Sequence, residues 1–223
     1  MERPVGPLLV LMVVACGGGQ DAAPPETEPF VIATTFHPTT YFARRIAGDD
    51  ARVVCPLPPG TDPIFWMPDD DAIAVYQSAD LIVVNGAQFE KWVGKVSLPE
   101  ARVVRTADSF RDRWLEYSDA TTHKHGPAGE HTHTGVDGHT WLDPELAIAQ
   151  AEAIRAALAA RLPAYAAGFD ARFAGLRRDL EELGRAFAAL GTVPEGQWLY
   201  ASHPAYRYLA ARYSWPVVSL DLD

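Results

Sequence analysis

Four short apolar runs, the first three separated by helical patterning, constrain the fold of this chain more than any other feature. They are "FVIATT" from Phe30, "ARVVCPL" from Ala51, "ADLIVVNG" from Ala79 and "ARVVRTADS" from Ala101. β-Branched and aliphatic runs of this length read as buried strands. After the first, "FHPTTYFARRIAG" reads as a turn and a helix. After the second, "MPDDDAIAVYQSA" reads as a helix whose acidic start suits the positive end of its dipole. Strands alternating with helices predict a parallel α/β sheet, a fold that gathers ligand-binding side chains at the carboxyl ends of its strands.

Beyond residue 138 the pattern turns mostly helical. "DPELAIAQAEAIRAALAARL" offers Asp143 as an N-cap and Pro144 at the first helical position. Pro163 interrupts, and a second helix is predicted over 164–190 with Gly191 as its stop signal. About 27 residues at 1.5 Å each give roughly 40 Å, a length that commonly spans between lobes. "QWLYAS" and "WPVVSL" then read as two more strands flanking the helix "PAYRYLAARY". The predicted class is α/β, with parallel-sheet patterning on either side of one long helix.

The chain of 223 residues has room for one large domain or two small lobes, and 48% hydrophobic with 22% charged residues excludes global disorder. A formal net charge of −10 argues against nucleic-acid binding and suits attraction of cations. At the N-terminus an apolar run from Val5 to Ala15 is too short to span a bilayer but suits a signal peptide over residues 1–15. "VVAC" resembles the bacterial lipobox, which makes Cys16 a candidate for lipidation; the alternative is an ordinary secretory signal with an incidental cysteine. Residues 16–28 then form a polar, Pro-rich tether. With Cys16 acylated, Cys55 has no partner and the chain has no disulfide framework.

Five of the seven histidines fall in "THKHGPAGEHTHTGVDGHTWLDPE", residues 122 to 145. Histidine is the commonest neutral metal ligand. The stretch divides at about Gly138. His123-x-His125 and His131-x-His133 put imidazole pairs among glycines, where regular structure is not expected between about 119 and 138. These four read as an accessory, lower-affinity metal-collecting loop, or otherwise as a solubilising linker. His139 stands at the loop's end next to a helix start, as a ligand or a capping histidine. His203 and His37 each follow a strand and precede a helix. Zinc takes four ligands and accepts carboxylate oxygen, so Asp62 and Asp221, both expected at strand ends, are candidates to complete a site.

Several of these segments recur together, and in this order, in a known family. From about residue 30 onward the chain resembles the solute-binding lipoproteins of bacterial ABC importers for zinc and manganese. The resemblance rests on the opening "VIATTFHPTTYFARRIAG", on "GTDPIFW", on "ADLIVVNG", on the His-rich loop, on "HTWLDP" and on "SHPAYRYLAARY". It implies two α/β lobes, 29–118 continued by 139–163, and 191–223, joined by the helix at 164–190, with metal held in the cleft between them. His139 and His203 match two of the family's histidine ligands. A third family histidine corresponds to Ile64, which cannot ligate. The family's acidic ligand lies beyond Asp223, so the second lobe reads as truncated or the site as rebuilt, with His37 replacing the missing histidine and Asp62 or Asp221 supplying oxygen.

The function implied is capture of zinc, or next manganese, as transported ligand at the bacterial cell envelope. The protein would be a monomer held to the membrane by its lipid and would deliver metal to an ABC permease. No catalytic nucleophile and base stand at usable spacing. The alternatives are a zinc hydrolase with an open coordination position, and a metal-buffering or adhesin-like lipoprotein without a permease.

Overall fold

The computed structural model describes residues 28–117, 121–125, 129–133 and 135–220. Its main sheet is built from β1 (Val31–Thr34), β2 (Arg52–Val54), β3 (Leu81–Val84) and β4 (Val103–Arg105), in the spatial order β2-β1-β3-β4 with every pair parallel. Residue alternation sends the two faces of each strand into separate cores. Ile32, Leu81 and Val83 pack under α1 (His37–Ala47), α3 (Pro144–Arg161) and α4 (Ala166–Ala189), meeting Phe42, Ile46, Ile154, Leu158, Phe169 and Leu176. Ala33, Ile82 and Val84 face the other way, onto Trp92 and onto Tyr76 of α2 (Asp70–Ser78). Covering both faces of a parallel sheet is what allows its strands to be apolar throughout.

Local chemistry sets the helix ends. Asp69 caps α2 by accepting from Ala72 N at 2.9 Å, and Asp70 and Asp71 fill its first turn. Asp143 caps α3 by accepting from Glu145 N at 2.9 Å, with Pro144 in the first turn. The long helix is shorter than predicted: α4 has 24 residues, about 36 Å, because Pro163–Tyr165 form a separate 3-10 turn before it. Gly191, at φ +73°, follows its last residues in the left-handed region that glycine tolerates.

A second, two-stranded parallel sheet follows α4, made of β7 (Leu199–Ala201) and β8 (Val217–Ser219) with α5 (Arg207–Tyr213) between them. The architecture is thus α/β, with two parallel sheets separated in the chain by the long helix. α5 is tied back to both preceding helices. Arg212 Nε donates to both oxygens of Asp143 at 3.0 Å, and Tyr213 Oη donates to Gly184 O at 3.0 Å.

The expectation that 119–138 lacks regular structure is corrected. β5 (Thr121–His125) and β6 (Gly129–His133) pair antiparallel, with His123 opposite His131. The ladder is continued at its base by a bridge between Glu116 and Val136. Glycine and proline interrupt the stretch, yet Thr121, Thr122 and Thr132 favour extended backbone within it. Among the described residues no helix is long and apolar enough to cross a membrane.

Candidate metal site

His139 sits where the base of this hairpin runs into the 3-10 turn Thr140–Leu142, just ahead of α3. It is 5% exposed. Its Nδ1 lies 2.7 Å from Asp137 Oδ1, and its backbone N–H donates to the same oxygen at 3.0 Å. A carboxylate can only accept, so Nδ1 carries the proton and the lone pair is left on Nε2. A carboxylate behind an imidazole is the usual device for orienting a metal-binding histidine and raising its basicity.

Aromatic rings form the walls. The Phe89 and Trp141 ring centroids lie 5.8 and 5.4 Å from that of His139, and Phe36 packs on both at 4.5 and 4.7 Å. The His203 ring, two residues past the end of β7, stands edge-on to His139 with centroids 5.8 Å apart. Two imidazoles, one following the hairpin and one following β7, are therefore ring neighbours.

Beneath them lies a buried polar network. Asn85, at the end of β3, donates from Nδ2 to Gly138 O at 2.9 Å and accepts at Oδ1 from Gln150 Nε2 at 2.8 Å. Glu90, also buried, accepts from Thr35 Oγ1 at 2.6 Å, Asn85 N at 2.7 Å and Gly86 N at 3.2 Å. Burial pushes its carboxyl above the ordinary glutamate range, and these hydrogen bonds oppose the shift.

The other candidates stand elsewhere. His37 begins α1, is exposed and stacks on Tyr41 with centroids 6.4 Å apart. Asp62 is not at a strand end: it lies in the loop well past β2, where Oδ1 accepts from Ile64 N at 2.9 Å and forms a local turn. Among the described residues no three His, Cys, Asp or Glu side chains gather into a group able to hold a metal ion, so neither joins His139 and His203. Ile64 is buried against Phe36 and Phe89, one ring away from His139. Asp221 and Cys16 lie outside the described residues, as do the signal peptide and most of the tether.

Sequence reasoning missed Asp137, Asn85 and the aromatic wall. The Asp-x-His spacing of Asp137 and His139 was the available signal for the first. The wall is assembled from positions 36, 89 and 141, which no local pattern connects.

Residues 32–222 match the family model for ZnuA, zinc-uptake complex component A, periplasmic. The chain is 30% identical over 218 residues to the zinc-binding lipoprotein AdcA of Streptococcus pneumoniae, a match covering 96% of this chain and 42% of that protein. It is 28% identical over 220 residues to the high-affinity zinc uptake system protein ZnuA of Bacillus subtilis, covering 96% of this chain and 69% of that one. The chain thus spans about two fifths of the length of the first of these relatives. Its fold superposes on the crystal structure of Zn(II)-bound AdcA from Streptococcus pneumoniae with a TM-score of 0.71 and 28% identity, over 86% of this chain and 39% of that chain. A family match over most of the chain, agreeing with the fold and with the paired histidines, places this protein in the family of periplasmic zinc-uptake component A proteins.

Proposed function

We propose that this protein captures a divalent transition metal, zinc first and manganese next, in the cleft containing His139 and His203, and hands it to an ABC importer outside the cytoplasm. One observation carries the reading: a buried histidine with its Nδ1 committed to Asp137, its ring 5.8 Å between centroids from that of a second histidine. Neutral imidazole nitrogen suits zinc. Two nitrogens leave two positions of a tetrahedral shell to other donors, and Ile64 supplies neither. Membership of a family of metal-binding transport proteins sets aside the hydrolase alternative.

Three further elements belong to the proposal. Cys16 anchors the chain to the membrane through lipid. The lobes flank the cleft as a monomeric receptor. His123, His125, His131 and His133 collect metal at lower affinity on the hairpin. Zinc titration against a competing chelator tests the core of it. His139→Ala and His203→Ala should each weaken binding of the tight ion by 10-fold or more, since even an outer-shell change costs roughly 10–100-fold. Wild-type affinity in both variants would rule the cleft out.

A further inference from the structure

α5, the helix that follows His203, reaches across to the segment that leads into His139. Tyr208 is 3% exposed, and its Oη donates to Asp137 O at 2.9 Å while accepting from Leu115 N at 3.0 Å. Burial pushes this phenol up to about 12, so it remains a neutral donor throughout the working range. Its neighbour Arg207 donates from Nη2 to Glu116 O at 2.8 Å and lies over the Tyr117 ring at 4.6 Å. Arg207 Nη1 faces Asp137 Oδ2 across 3.9 Å; both atoms are buried and neither makes a hydrogen bond. Asp137 is fully buried, and its other oxygen is the one that holds His139. A buried carboxylate without a nearby cation is strongly disfavoured, so the Arg207 guanidinium supports the charge on which the His139 tautomer depends.

We propose that Arg207 and Tyr208 are positioning residues for the metal site: acting through Asp137, they fix the tautomer and ring orientation of His139 from the helix that follows His203. The two ligand histidines then share one clamp, although each follows a different sheet. A metal-free chain already holds the proton on Nδ1 of His139, whose ring centroid lies 5.8 Å from that of His203, so binding a cation at Nε2 requires no tautomer exchange. The metal-affinity part of this inference rests on the function proposed above; the tautomer part does not.

The test uses the full chain without metal, labelled with 15N, and reads the histidine tautomers from long-range proton–nitrogen spectra, followed by zinc titration. Wild-type His139 should be a single Nδ1-protonated species. Arg207→Met should mix the two tautomers and weaken zinc binding by roughly 10–100-fold, the range for outer-shell partners of a ligand histidine. Tyr208→Phe, which keeps the ring and loses both hydrogen bonds, should act in the same direction and serves if Arg207→Met does not fold. Arg212→Met, on the same helix but anchored to Asp143, should lower stability and leave the His139 tautomer unchanged. The inference is overturned if Arg207→Met or Tyr208→Phe leaves His139 in one tautomer, or if Arg212→Met disturbs it equally. If wild-type binds no zinc, the tautomer result still decides the matter.

Discussion

Replacing Ile64 by histidine separates the cost of disturbing the aromatic wall from the gain of adding a ligand. Ile64 is 7% exposed and packs on Phe36 and Phe89, with Leu57 and Trp141 beside them. Burying an isoleucine is worth about 1.5–3 kcal/mol, of which an imidazole of similar reach recovers part. An imidazole nitrogen without a partner in that wall costs a further ~1–3 kcal/mol. Metal-free Ile64→His should therefore be less stable by about 2–4 kcal/mol, measured by urea unfolding in the presence of chelator. With zinc the balance reverses, because the nitrogen gains the metal as its partner. Affinity should rise by at least about tenfold, or about 1.4 kcal/mol. Zinc at 100 times its Kd would add about 2.7 kcal/mol to the apparent stability, returning the variant close to the metal-free wild type. Lower stability with unchanged affinity would instead put Ile64 beyond the reach of metal held at His139 and His203.

Two other substitutions probe the support of the site. A Cβ on Gly138 would stand 2.8 Å from Phe89 Cβ and 3.0 Å from Phe89 Cα, so backbone has to move; Gly138→Ala should cost about 1–3 kcal/mol in urea unfolding and weaken zinc binding roughly tenfold by displacing His139. Glu90 has its pKa raised in the folded state, chiefly by burial. Its contribution to stability is therefore complete below the ordinary glutamate value of about 4.3 and is lost as pH rises through the folded value. Urea midpoints of the wild type should fall more steeply with rising pH through that window than those of Glu90→Gln; parallel profiles would contradict the assignment.

Much of the fold was legible because its signals are local. The runs around Ile32, Val53, Ile82 and Val104 are continuous apolar strands, as a sheet covered on both faces requires. Asp143 and Pro144 announce the start of α3 by capping chemistry that acts within three residues. The hairpin was missed because glycine, proline and histidine around positions 125–129 mask the extended preference of its threonines. Asp62 was misplaced because a short strand followed by a long loop looks, in sequence, like a strand end.

The site divides along the same line. His139 and His203, which the fold brings to 5.8 Å between ring centroids, are singled out in the sequence by their motifs. Asp137 resembles an ordinary turn residue in a glycine-rich segment. The clamp by Tyr208 joins residues 71 and 93 positions apart, a separation that periodicity and capping do not register.

The tightly held ion should belong to the pair His139 and His203 and not to the hairpin. Zinc stoichiometry of the purified chain lacking residues 119–134, which keeps the Glu116–Val136 bridge, tests it most directly. One tightly bound zinc per chain should remain after the deletion, and none when His139→Ala and His203→Ala are added to it. Loss of all tightly bound zinc on deleting the hairpin alone would assign the metal to His123, His125, His131 and His133 instead.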